Sequence, residues 1–263
     1  MAIACQILRI QHVKLFKAII DMNAIQLTST SAKHSDTTTV SKKAARSAAA
    51  TDFAFPSADE EHANAQTHFG GIILTLLLGG PLISLSLERD WTYILGTCLF
   101  VAGMLTMYTC STLYHAATNI EKKKRLRILD HSSIYIMIAG SYSIICTSVL
   151  GGWMGWSLFA FLWTCTIAGI IGKFIALGKH PNLSLLLYLL MGWVALIVIV
   201  PLWRTLSHLA FALVIAEGLA YTIGAYFFKH DEEHAHYHAV WHIFILLGSI
   251  FHLLAVMLIL VNG

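Results

Sequence analysis

The stretch HAVWHIFILLGSIFHLLAVMLILV, residues 238–261, decides how this chain folds. It contains no Asp, Glu, Lys or Arg, and a helix needs about 20 apolar residues to cross a bilayer. Its first turn carries His238 and His242, four residues apart and so on one helix face. Polar and ionisable side chains are expensive at membrane depth and mark a site by default. The segment therefore reads as a membrane span that opens on a functional pair.

The same kind of run recurs toward the N-terminus, at about 68–88, 91–114, 131–150, 153–172, 183–203 and 207–228. The chain is 57% hydrophobic and 12% charged, whereas a soluble domain carries about 25% charged residues. The expected fold class is all-α, a polytopic membrane protein with seven transmembrane helices. Trp91, Trp153, Trp156 and Trp203 fall near the predicted span ends, where aromatic belts form. The five cysteines show no CxxC spacing, and four of them lie in apolar stretches, so neither a disulfide framework nor a zinc ribbon is expected. Nothing in the charge pattern suggests nucleic acid.

Residues 1–60 form a separate N-terminal extension, ahead of a transmembrane domain over 61–263. Residues 1–22 are mildly amphipathic and basic, and 27–51 are rich in Ser, Thr, Ala and Lys. Such a composition cannot bury enough apolar surface to fold alone. No apolar segment with a small-residue cleavage site stands out, so a solvated tail is expected rather than a secretory signal.

Charge sets the expected orientation. Of the 17 basic residues only Arg89 and Arg204 fall on one side of a seven-span chain; the tail, the run Lys122–Arg127, Lys173, Lys179 and Lys229 share the other. The bias toward positive cytoplasmic loops places the N-terminus in the cytoplasm and the C-terminus outside.

This topology brings distant residues to one depth. Span two ends at the inner face with Ser111 and His115, span three opens there with Asp130 and His131, and span seven opens there with His238 and His242. His238 and His242 approach one ion from a single helix, and His115 closes a third corner. Three imidazoles with one vacant position form the ligand set of a catalytic zinc. Asp130 is placed to hold or deprotonate a water, and Ser111, one turn deeper, to bond it or a developing oxyanion. Each residue alone is weak: His234 and His238 form a competing pair in a His-rich acidic loop, and a boundary histidine is commonly just an interfacial polar group. The coincidence of depth favours the metal site.

Three segments, STLYH (111–115), LDHSSIYIMIAGSYS (129–143) and HAVWHIFILLGSIFH (238–252), resemble the signature segments of the hemolysin III family, bacterial relatives of the progestin and adipoQ (adiponectin) receptors. The resemblance covers about 60–261. It implies a seven-helix fold with an inward N-terminus, and zinc held by His115, His238 and His242. It further implies that Ser111 and Asp130 surround the metal-bound water. Glu217 departs from the pattern, standing mid-span where a small residue is expected; a carboxyl at that depth should be held neutral or face the bundle cavity. His252 lies about 15 Å along span seven, too deep to share the ion, and with His131 is expected to be a satisfied polar group.

Three functions compete. The first is a zinc-dependent hydrolase of a lipid amide or ester in the cell membrane, with ceramide-like substrates suggested by analogy with adiponectin receptors and alkaline ceramidases. The second is the cytolytic protein that the family name implies. The third is a sensor or regulator of membrane state with zinc as a structural pin. An Asp130 substitution separates the first from the third.

Overall fold

The computed structural model describes residues 56–176 and 181–262; the expectations for residues 1–55 and for Lys179 lie outside the described residues. Among those described, the secondary structure is helical throughout, with no strand. The order is α1 (Ala58–Ser86), α2 (Trp91–Ala116), α3 (Ile120–Ile144), α4 (Gly152–Ala176), α5 (Pro181–Gly192), α6 (Ile199–Thr205), α7 (His208–Lys229) and α8 (Tyr237–Asn262). A π-helical turn, Ile145–Leu150, prolongs α3, and a 3₁₀ segment, Trp193–Val198, joins α5 to α6. With α5–α6 as one crossing, the described residues hold 7 helices long and apolar enough to span a membrane. The chain is an all-α, multi-pass membrane protein.

Two helices begin well before their apolar runs. Ser57 and Glu60 make a reciprocal cap at the start of α1, Ser57 N donating to Glu60 Oε2 at 3.0 Å and Glu60 N to Ser57 Oγ at 3.3 Å. The acidic first turn, Asp59 to Glu61, suits the positive end of the helix dipole. Asn119 caps α3 by accepting from Lys122 N at 3.0 Å. Between the expected spans 91–114 and 131–150 only Ala117–Asn119 is a link, and Lys122–Arg127 is helical. Hydropathy marks where a helix enters the apolar layer, whereas caps mark where it starts.

The fifth crossing is broken rather than continuous. Pro201 has no N–H to give the preceding turn, and the backbone ahead of it tightens into the 3₁₀ segment. Lipid offers no partner for the freed groups, so protein must supply one. The Tyr142 hydroxyl of α3 does so, donating to the Gly192 carbonyl and accepting from Ala195 N at 3.0 Å. The link after α3 turns through Gly151 (φ 55°) and Gly152 (φ 50°), a conformation that favours glycine.

Small residues set the closest helix approach. A Cβ added at Gly140 of α3 would lie 2.9 Å from the Leu99 carbonyl of α2, and one at Gly103 would lie 3.1 Å from the Ile136 carbonyl. Without a hydrophobic force between helices in lipid, such close packing is a main source of association. Phe100, Met104, Tyr108, Ile144, Leu202 and Val256 fill the shared core. The outer face is the inverse of a soluble protein's, with Leu77 67% and Ile197 80% exposed, as lipid-facing positions should be. α1 packs on α2 and α8, and α2 on α3, so the start of α1, the end of α2 and the start of α8 meet at one end of the bundle.

Candidate metal centre

At that end His115, His238 and His242 come together, with their candidate ligand atoms all within 4.8 Å of one another. Their ring centroids are 4.7–5.2 Å apart. The rings turn the same atom inward: Nε2 of each is buried and has no hydrogen-bond partner. A buried polar atom without a partner costs about 1–3 kcal/mol, so three at one point call for a common occupant. The cluster can hold a metal ion.

The outward nitrogens explain how the rings are aimed. His115 Nδ1 lies 2.7 Å from Glu61 Oε2, and His238 Nδ1 lies 2.6 Å from Asp231 Oδ2. His242 Nδ1 faces the Asn64 carbonyl at 3.1 Å and Thr67 Oγ1 at 3.0 Å. Each Nδ1–H donates to an oxygen, which leaves each Nε2 with a bare lone pair. This is the arrangement by which metal-binding histidines are oriented and made more basic.

Lys123 belongs to the same assembly. Its Nζ donates to the carbonyls of Tyr114, His115 and Ala117 at 3.1–3.3 Å and lies 3.0 Å from Glu61 Oε2. It closes the carboxyl end of α2, where a cation suits the dipole, and fixes both His115 and its carboxylate partner. Glu60 meanwhile accepts the N–H of His236, a residue with φ 63°, and so ties the loop before α8 to α1.

Asp130 is buried on α3, with His238, Ser111 and Arg127 as electrostatic neighbours. The Ser111 hydroxyl is buried without a partner. Among the described residues, His131, His230 and His234 fall elsewhere. His234 lies tilted against Tyr237 at 4.5 Å between ring centroids, His230 against Tyr226 at 4.6 Å, and His131 meets Phe228 at 6.5 Å. His68, wholly buried on α1, stacks on His242 at 3.4 Å between ring centroids, and neither of its nitrogens has a partner.

The supporting residues Glu61, Asn64, Thr67, His68 and Asp231 were not among the expected site residues. The signal was present in the spacing: Glu61, Asn64 and His68 lie three and four residues apart, a polar stripe that continues the buried face of α1. Glu61 also ends the acidic run Asp59-Glu60-Glu61, which masks its place in that stripe. Asp231 carried no such signal, because its partner is set by how the loop folds back.

Glu61→Gln should keep the helices intact while weakening metal binding about 10–100-fold, the usual cost of removing such a partner. Competition titration against a chromophoric chelator reads this directly. Unchanged affinity would mean that the Glu61–His115 contact does not support a ligand.

Known proteins similar to this chain place it further. The family model described as Haemolysin-III related matches residues 57–253. The chain is 37% identical over 191 residues to Hemolysin-3 of Bacillus cereus, covering 72% of this chain and 87% of that protein. It is 35% identical over 192 residues to a Hemolysin-3 homolog of Bacillus subtilis (strain 168), covering 72% and 89%. Against the human Monocyte to macrophage differentiation factor the identity is 28% over 214 residues, covering 76% and 84%.

Proposed function

The chain belongs to the haemolysin-III related family, and from that membership and the histidine geometry we infer a zinc-dependent membrane hydrolase of lipid amides or esters, ceramide-like in form. The observation that carries this reading is the convergence of three bare Nε2 atoms on rings whose Nδ1 atoms are already bonded. Three neutral imidazoles suit zinc, which takes nitrogen at about 2.0–2.1 Å and keeps one position open in catalytic sites. When bound, zinc would supply Lewis acidity and lower the pKa of a bound water to about 7.

The chain's own groups do the remainder. His115, His238 and His242 would hold the ion. Asp130 accepts the proton of the attacking water and returns it to the departing amine or alcohol, which closes the proton balance within the site. The Ser111 hydroxyl donates to the oxygen on which charge develops. A largely apolar cavity begins at His68 and Asp130 and runs between the helices past Met137, Ile145 and Val214. Its lining suits an acyl chain whose polar end lies at the histidines.

In this reading the site faces the cytoplasm, because basic residues concentrate on its side of the chain. A reporter fused after Gly263 should then work only outside the cytoplasm; strong cytoplasmic activity would reverse the assignment.

Metal analysis of the purified protein, followed by a lipid amide and ester screen, tests the function. Hydrolysis that a chelator removes and zinc restores is expected. Full metal occupancy without turnover, with chelation lowering only thermal stability, would reduce the ion to a structural pin. The names of the two Bacillus relatives carry the rival cytolytic reading; cell lysis without lipid hydrolysis would favour it.

A further inference from the structure

A second polar site lies deep in the same cavity. His252 of α8 and Glu217 of α7 both line it, and His252 Nδ1 meets Glu217 Oε2 at 2.6 Å. His252 is 2% exposed and sits edge-on against Phe100 at 4.5 Å between centroids. Its Nε2 is buried and has no partner. Glu217 is therefore paired rather than isolated, and His252, expected to be satisfied, is satisfied at only one of its two nitrogens.

A clamp between two helices would not need this composition. Joining α7 to α8 in lipid is achieved more cheaply by close packing, as Gly224 against Phe244 and Gly248 against Tyr221 already do. A carboxyl and an imidazole together at mid-membrane are costly, and such groups mark binding or transport sites. The other polar side chains that line the cavity at this depth are already engaged. Tyr142 serves Gly192 and Ala195, and Thr222 Oγ1 donates to the Gly218 carbonyl while accepting from Trp193 Nε1. Tyr221 approaches Ser249 at 3.4 Å, and Ser249 accepts from Tyr108. What remains for a ligand is the Glu217–His252 pair.

We propose that Glu217 and His252 bind a hydroxyl group carried partway along the acyl chain that occupies the cavity. His252 Nδ1 either donates to the Glu217 carboxylate, which leaves Nε2 as an acceptor, or accepts from the Glu217 carboxylic acid, in which case the imidazole carries its own hydrogen on Nε2 as a donor. A hydroxyl both donates and accepts and so fits either arrangement. A carbonyl can only accept, and an ammonium can only donate. The pair stands ten residues beyond His242 on α8, about 15 Å along the helix. A chain anchored by its polar end at the histidines thus presents its middle carbons here, not its terminus or its head. This rests on the acyl-chain reading of the cavity, and it makes mid-chain hydroxylation the feature by which the site selects among lipids.

Binding, not turnover, tests it. The full chain in detergent is titrated with an eighteen-carbon fatty acid bearing a mid-chain hydroxyl and with the unsubstituted acid of equal length, each displacing a fluorescent fatty acid. The wild type should favour the hydroxylated acid by roughly tenfold, the equivalent of one well-made hydrogen bond. The double variant Glu217→Leu/His252→Leu removes both ends together, leaving no lone buried polar group. It should bind the unsubstituted acid at least as well and lose the preference. Glu217→Gln, which keeps the shape of the pair, should show a reduced preference if the double variant does not fold. Equal binding of both acids by the wild type would overturn the proposal and leave the pair as a clamp. A preference that survives in the double variant would overturn the residue assignment. Failure to bind either acid would instead overturn the acyl-chain reading of the cavity itself.

Discussion

His242→Ala, His115→Ala and His238→Ala should each yield protein without stoichiometric metal, whereas His234→Ala should retain it. Each of the first three removes one Nε2 from a cluster of three among the described residues and leaves two imidazoles facing a void. The effect should exceed the roughly 10–100-fold that losing a supporting partner costs. His234 lies in the preceding loop with its ring on Tyr237, outside the cluster. Elemental analysis of each purified variant reads the outcome. Metal retained in His242→Ala but lost in His234→Ala would mean that the His-rich loop holds the ion. The rings around His242 add a second expectation. His68 stacks on it, and Thr67 and Asn64 face its Nδ1, so its removal should also loosen the contact of α1 with α8.

Asp130→Asn should keep the metal and the fold while lowering hydrolysis by about 10²–10⁴-fold, the usual contribution of a positioned acid–base group. Three imidazoles already meet the protein share of an open zinc site, which leaves a carboxylate at its edge free for proton transfer. Asn preserves the size of Asp130 but cannot take up a proton from water. Turnover and metal content measured on the same sample decide the matter. Metal lost to the extent seen in His115→Ala would make Asp130 a ligand and remove its proposed role as base. Turnover at the wild-type rate would assign the proton transfer to another group.

Much of the bundle was legible in the chain because hydropathy and helical period are local properties. Apolar runs of span length marked all seven crossings, and the i,i+4 spacing put His238 and His242 on one face before any packing was known. The helix starts were less legible. The polar turns at Ala58–Thr67 and Ile120–Leu129 are helical because Ser57 and Asn119 cap them, and a hydropathy profile is blind to caps. The break at Trp193–Val198 was also missed, since it depends on a hydroxyl from a different helix to satisfy its backbone.

The sequence by itself thus determined the membrane class, the number of crossings and the residue types available at one depth. Only the tertiary structure decided which nitrogen of each ring faces inward. Glu61 lies 54 residues from His115, and Glu217 lies 35 from His252. Neither pairing follows from any local period. They arise from the register in which α1 meets α2 and α7 meets α8, and that register is set where glycine lets helices touch, at Gly71 beneath the Tyr108 ring and Gly248 beneath Tyr221. Ring orientation is a property of packing, so the chemistry of the site became readable only once the helices were in contact.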